Sequence, residues 1–330
     1  MHLSRFVHFR PSTVEEAAKL IKEHGSRARL VAGGTDLFPR MKYGLTRPEV
    51  VVSLKGIDVS PPTVTRNGDM RVDALMPLAD VGSSPVILER APMLAEAALS
   101  VGSNQIRHMG TLGGNLCQEN RCSYYNQTHT FQFVEPCFKR NGDLCYLIQK
   151  GKKCMAVFCA DTAPALISLG ALITITGPEK SRQIPIEELY TGDALKPLAI
   201  SNTKIATEIL IPGNGSVRGT AFVKFSMRAG VEFAALNVAV VLDMDEEARD
   251  CCREVRITVG AISPSPVRMV NAEDAMRGRD LSKDLFQEVA GIVASSARPF
   301  MHHGYSAPYL RECLRVQARR ALETAHGRVG

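Results

Sequence analysis

The sequence contains no apolar run long enough to cross a bilayer. Its longest, FAALNVAVVL at 233–242, falls well short of the ~20 residues a spanning helix needs. The opening residues, MHLSRFVHFRPSTVEEAAKL, carry charges throughout and lack the apolar segment of a secretory signal. A cytoplasmic protein with no membrane association is therefore expected. No block of basic residues stands out either: the formal charge is +6, spread among acids, which argues against nucleic acid as a partner. There is no internal repeat and no low-complexity segment. Neither GxGxxG nor GxxxxGK followed by Ser or Thr occurs, which disfavours a Rossmann site and a P-loop. No C-x2-C pair is present, so the usual signature of a structural zinc site is missing.

What is present is an ordinary globular composition, 45% hydrophobic and 22% charged over 330 residues. That length suits about two domains with full cores. Cysteine is the exception to ordinariness. Of nine, six lie within 117–159 (Cys117, Cys122, Cys137, Cys145, Cys154, Cys159), and Cys251, Cys252 and Cys313 lie elsewhere. Cytoplasmic thiols stay reduced, so the cluster reads as metal ligands, redox groups or buried fillers rather than a disulfide framework.

The residue pattern predicts an α+β fold in at least two lobes. Ser12-Thr13-Val14-Glu15 reads as a capping box, followed by Val14, Ala17, Ala18 and Ile21 at helical spacing and closed by Gly25. ARLVAG (28–33) and EVVVSL (49–54) read as strands. This small β/α unit fills 1–58. From 59 to 215 the pattern changes to short strands and two helices, one of them 92–101, with strands at 171–177 and 206–213 and a linker at PGNGS, 212–216. From 216 to 330 two strand-like runs, the polar turn DEEARD and the strand VRITVGAI predict an antiparallel meander, with helices 271–277, 282–296 and 306–325 completing the chain.

Two glycine turns carry the chemical signal. VAGGTDL (31–37) follows a predicted strand; Gly33 and Gly34 permit close backbone approach, and Thr35 adds a hydroxyl. GTLGGN (110–115) repeats the arrangement with Thr111, Gly113, Gly114 and Asn115. Either turn alone is compatible with a plain loop. Together they allow a pyrophosphate to be clasped from two sides, which makes a dinucleotide site the reading to test.

The two turns together resemble the FAD-binding medium subunit of the molybdenum hydroxylase (xanthine oxidase) family, through LVAGGTDLFPRMKYG and IRHMGTLGGNL. ADTAPALISLGALITI is similar to the stretch that follows in that family. TAFVKFSMRAGVEFAALNVAV and GAISPSPVRMVNAEDAMRG resemble its C-terminal flavoprotein domain. The resemblance implies a two-lobed FAD-binding domain followed by a domain of antiparallel sheet and helices. It implies that Val31, Ala32, Gly33, Gly34, Thr35 and Asp36 offer backbone amides to the FAD pyrophosphate. Thr111, Gly114 and Asn115 would hold the phosphate and ribitol side, and Asp161 the adenosine ribose. Lys224 matches a lysine near the isoalloxazine; its bland alternative is a surface lysine on a strand.

Against that family pattern, 117–158 is an insertion, and the six clustered cysteines fall inside it or at its edges. Their spacings, x4, x14, x7, x8 and x4, suit a loop wrapped around an iron–sulfur cluster, while zinc, or no metal at all, stays open on spacing alone. His129 stands by itself. The resemblance extends to the 4-hydroxybenzoyl-CoA reductase branch, whose flavin subunit carries an inserted 4Fe-4S cluster. It implies Cys122, Cys137, Cys145 and Cys154 as ligands, with Cys117 and Cys159 left out because they flank the flavin segments. Loop aromatics (SYYN, FQF, CYL) would supply an apolar shell, and Lys139, Arg140, Lys150, Lys152 and Lys153 either favour the reduced state or form a solvated basic loop.

The implied function is that of an oxidoreductase subunit with no catalytic residue of its own. It would hold FAD and a 4Fe-4S cluster and pass low-potential electrons, from a donor such as ferredoxin, toward a 2Fe-2S small subunit and a molybdopterin-containing large subunit in a dimer of heterotrimers. The same family offers a carbon monoxide, aldehyde or xanthine dehydrogenase-like hydroxylase with outward electron flow. A reading from another class is a non-catalytic scaffold with a zinc-stapled loop.

Overall fold

Parallel pairing governs the N-terminal lobe. Strands β1 (Val7–Phe9), β2 (Ala28–Val31) and β3 (Val50–Ser53) form a sheet of order β1-β3-β2 with both pairings parallel. Helix α1 (Val14–His24) buries Ala17, Ala18 and Ile21 beneath it, in one cluster with Val50 and Val52. The computed structural model describes residues 3–128, 135–213, 217–228, 230–244 and 251–329. The helix cap sits one residue later than the sequence pattern placed it. Thr13 Oγ1 accepts from the Glu16 amide, and the Glu16 carboxylate accepts from the Ser12 amide. Glu16 occupies the third helical position, the one able to reach back. Gly25, at φ 53°, closes the helix as expected. The first glycine turn leaves β2 and enters α2 (Leu37–Lys42).

The middle lobe carries strands β4 (Thr63–Val64), β5 (Met70–Asp73), β6 (Leu172–Thr176), β7 (Ser181–Pro185) and β8 (Ile205–Ile211), antiparallel in the order β4-β5-β8-β6-β7. Among its described residues it also holds six short α-helices where the sequence suggested two: α3 (Leu78–Ser83), α4 (Pro85–Arg90), α5 (Pro92–Leu99), α6 (Asn104–Met109), α7 (Leu112–Leu116) and α8 (Thr162–Ser168). Five to eight residues each, they span too few turns for a 3.6-residue period to emerge. The correction matters most at α7, which forms inside the stretch read as a glycine turn. Thr111 makes it possible by capping, its hydroxyl accepting from the Gly114 amide.

The C-terminal lobe is the expected meander. Strands β9 (Arg218–Phe225), β10 (Leu236–Met244), β11 (Cys252–Gly260) and β12 (Val267–Arg268) lie in the order β12-β11-β10-β9, and α9 (Val270–Met276), α10 (Lys283–Ser296) and α11 (Ala307–His326) follow. Residues 214–216 of the linker reading and the polar turn 245–250 lie outside the described residues, as do His129 and FQF (131–133). Strand β10 is buried along its whole length. Val238, Val240 and Leu242 join the cluster with α10 and α11, whereas Ala239 and Val241 join the middle-lobe core with α8. Covered on both faces, its centre, Val238 to Leu242, reads as a continuous apolar run rather than an alternating one. A β-carbon on Gly219 of β9 would stand 2.0 Å from the Ala325 carbonyl of α11. Gly219→Ala is expected to destabilise the chain by about 1–3 kcal/mol through overpacking, measurable by urea denaturation; an unchanged midpoint would disprove this close seating of α11.

Candidate functional site

A cleft of about 990 Å³ is lined by Val31 to Asp36 of the first glycine turn and by Gly110, Thr111, Gly113, Gly114 and Asn115 of the second. That volume lies at the upper end of the range for ligand pockets. The two turns, 77 positions apart when counted from Gly33 to Gly110, are packed directly on one another. A β-carbon on Gly33 would lie 1.9 Å from the Met109 carbonyl oxygen and 2.7 Å from the Gly110 α-carbon. One on Gly34, at φ 74°, would enter the Phe38 ring. Gly33 is thus required by backbone contact between the turns, and Gly34 by its positive φ and the Phe38 ring.

The expected phosphate-side residues are already partly engaged with the protein. Gly114 spends its amide on the Thr111 hydroxyl. Asn115 Oδ1 accepts from the Thr162 amide at 3.3 Å and the Thr162 hydroxyl at 2.6 Å, so what Asn115 retains for a ligand is its Nδ2 donor pair. Asp161, 3% exposed, lines the cleft. Its Oδ2 accepts from Lys224 Nζ at 2.7 Å and its Oδ1 from Asn237 Nδ2 at 2.9 Å. Burial pushes the Asp161 carboxyl above its ordinary value, against the opposing pull of Lys224. Lys224 stands behind Asp161, donating also to the Ser100 carbonyl at 2.8 Å. With a side chain 11% exposed, it is not the surface lysine of the bland alternative.

A group of charges with no sequence signal joins the cleft to the cysteine segment. Asp36 pairs with Arg121 at 2.5 Å and with Arg40 at 3.8 Å; Glu119 pairs with Arg40 at 3.1 Å and with Lys139 at 2.9 Å. Asp36, Arg40, Glu119 and Arg121 all line the cleft. Arg121 lies over the Phe233 ring, 5.0 Å from its centroid. Burial lowers the Arg40 pKa and Glu119 and Asp36 raise it, the net direction being upward. The sequence reading assigned Asp36 only a backbone role and did not single out Arg40, Glu119 or Arg121.

The six clustered cysteines separate into two environments. Cys117 and Cys159 line the cleft. Cys122, Cys137, Cys145 and Cys154 line a second, small cavity together with Tyr124, Tyr125, Phe138, Lys139 and Tyr146. Among the described residues, however, no three His, Cys, Asp or Glu side chains stand in an arrangement that could hold a metal ion. The geometry therefore brings the four thiols around one space without itself forming a ligand cage. Lys139 is buried in this wall, over the Tyr125 ring at 5.3 Å, whereas Lys150, Lys152 and Lys153 are exposed; the basic residues do not act as one group. Burial raises the Cys117 and Cys159 thiols to about 12. Both are expected to stay unmodified by iodoacetamide at pH 8 in the native protein and to react fully once it is unfolded; native labelling at either, read by mass spectrometry, would contradict this.

Comparison with known proteins places this geometry. Among curated relatives, the carbon monoxide dehydrogenase medium chain of Hydrogenophaga pseudoflava is 24% identical over 325 residues, 98% of each chain. The aldehyde oxidoreductase FAD-binding subunit of Escherichia coli is 27% identical, covering 90% of this chain and 92% of its own. The solved carbon monoxide dehydrogenase from H. pseudoflava superposes with a TM-score of 0.81 at 24% identity over 100% of both chains, a likeness of fold. No helix among the described residues is long and apolar enough to cross a membrane. The C-terminal domain of the carbon monoxide dehydrogenase flavoprotein matches residues 221–325. The FAD binding domain in molybdopterin dehydrogenase matches residues 4–214, well over half of the chain, and the protein therefore belongs to that family.

Proposed function

We propose that this chain is the FAD-binding medium subunit of a molybdenum hydroxylase-type oxidoreductase, carrying electrons between its flavin and centres on partner chains. The observation that carries the reading is the cleft walled by two mutually packed glycine turns, in a chain whose family is defined by FAD binding. The residues fit the group: both glycine turns line the cleft, and Asn115 and Asp161 supply polar side chains to the same lining. FAD provides the redox chemistry; the protein binds it, excludes water and sets its electrostatic surroundings. The partners are a molybdopterin-containing large subunit and a 2Fe-2S small subunit, assembled as a dimer of heterotrimers. Because the relatives include subunits of a carbon monoxide dehydrogenase and an aldehyde oxidoreductase, we rank outward electron flow in a hydroxylase of that type above the 4-hydroxybenzoyl-CoA reductase reading.

The contact between Asp161 and Lys224 changes how their roles are proposed. An adenosine ribose and an isoalloxazine at opposite ends of an extended dinucleotide cannot each have one of two residues 2.7 Å apart. We therefore assign Asp161 to direct contact with the cofactor and Lys224 to holding Asp161. A second reading has its own observation. Cys122, Cys137, Cys145 and Cys154 line one cavity with Lys139 beside it, which favours a 4Fe-4S cluster there and, with it, inward flow from a donor such as ferredoxin. FAD and iron per chain, measured on anaerobically purified protein with its visible and EPR spectra, test both. One FAD without iron supports the hydroxylase reading and removes the cluster; FAD absent removes the main proposal.

A further inference from the structure

Five ionic side chains alternate in sign between the cleft and the cysteine cavity: Arg121, Asp36, Arg40, Glu119 and Lys139. Each neighbouring pair is in contact, at 2.5, 3.8, 3.1 and 2.9 Å in that order. None is freely solvated, with side-chain exposures between 5% and 22%, so screening by water and salt is weak along the series. The series holds three cations and two anions, leaving one uncompensated positive charge beside a cleft suited to an anionic dinucleotide. Its two ends are anchored in different parts of the chain. Arg121 exchanges both backbone hydrogen bonds with Val157, at 2.7 and 2.9 Å, and Lys139 donates to the Ala194 carbonyl. The segment 118–122 is pinned again where Asn120 Nδ2 donates to the carbonyls of Ala156 and Pro264.

We propose that Glu119 is a positioning residue coupling occupancy of the dinucleotide cleft to the order of the cysteine-lined cavity. The inference rests on the proposed binding of FAD in the cleft and does not require a metal in the cavity. The physical basis is competition for guanidinium protons. A phosphate oxygen entering beside Arg40 and Arg121 forms charge-assisted hydrogen bonds with the groups that now serve Asp36 and Glu119. Glu119, partly released by Arg40, keeps Lys139 as its cationic partner and draws it more firmly into the cavity wall. Lys139 and Arg140 both lie over the Tyr125 ring, and Arg140 donates to the carbonyls of Tyr125 and Gln127, so a firmer Lys139 steadies the segment carrying Cys122. By linkage, a steadier cysteine segment must in turn tighten the dinucleotide.

The test measures labelling of Cys122, Cys137, Cys145 and Cys154 by iodoacetamide, resolved by mass spectrometry, in full-length chain stripped of any bound metal with a chelator. It is run with and without saturating FAD, in the native protein and in Glu119→Gln. FAD is expected to slow labelling about threefold to tenfold in the native protein, the scale of coupling that packed networks carry, and to change it less than twofold in Glu119→Gln. Glu119→Asp, which keeps the charge, should restore part of the effect. FAD binding measured by fluorescence separates the two levels of the argument. FAD that binds tightly yet leaves labelling unchanged, or slows it equally in Glu119→Gln, overturns the coupling alone. A chain that binds no FAD overturns the functional reading and the coupling with it.

Discussion

Gly33→Ala is expected to purify without flavin, with FAD affinity lowered about a hundredfold or more and the fold weakened by about 1–3 kcal/mol. The added carbon would sit 1.9 Å from the Met109 carbonyl oxygen and 2.7 Å from the Gly110 α-carbon. Both neighbours are backbone, so no rotamer change relieves the overlap. The two turns must separate, and the cleft they jointly wall is lost. The flavin-to-protein absorbance ratio and a thermal melt read the two effects. Gly291→Ala is the control, because nothing lies within 4 Å of its new β-carbon in the middle of α10. That variant should keep its flavin and gain roughly 0.5–1 kcal/mol from helix propensity. Gly33→Ala protein retaining a full complement of FAD would show that the turns are not jointly required.

Lys224→Met is expected to destabilise the chain by about 3–5 kcal/mol, the usual consequence of removing one partner of a buried ion pair. It leaves the Asp161 carboxylate, its side chain 4% exposed, without its cationic partner, held by neutral groups such as Asn237 and Ser100, and strands the Ser100 carbonyl. The effect has a pH signature. Burial already raises the Asp161 pKa above 3.8, and Lys224 opposes that rise. A carboxyl raised in the folded state holds more protons there than when unfolded, so stability falls as pH climbs from the ordinary carboxylate pKa to the raised one. Without Lys224 the folded value moves higher and the window widens upward. The deficit of Lys224→Met relative to the native protein should therefore be smaller at pH 5 than at pH 8, and Asp161→Asn in the same background should recover part of it. A deficit independent of pH would mean that the lysine acts by packing alone.

How far the fold could be read from sequence depended on element length. The 14-residue α10 and 20-residue α11 show several turns of periodicity and fall within a residue or so of expectation. Helices α3, α4 and α6, of six residues each, were invisible because one and a half turns carry no period. Helix α7 was hidden by its glycines, which mark a turn by propensity; only the Thr111 cap and packing against Ala74, 2.9 Å from a Gly113 β-carbon, make a helical turn of it. At the site, both glycine turns were legible because a backbone-approach motif is contiguous. The ionic series from Arg121 to Lys139 was not, since its members come from 36–40, 119–121 and 139 and their pairing depends on how those segments meet.

By itself the sequence determined the α+β class, the antiparallel C-terminal meander, the two glycine turns and the concentration of cysteines in 117–159. These are properties of neighbours along the chain: burial periodicity, glycine's conformational range and local composition. Only the tertiary structure decided that the turns abut at Gly33 and Gly110 and that Lys224 serves Asp161 rather than lining the cleft. It also decided that the four thiols expected to share one site line a small cavity without forming a ligand cage among the described residues. The physical reason is range. A charge or thiol acts on whatever lies within a few ångströms, and in a folded chain those partners are set by packing between segments tens to more than a hundred residues apart.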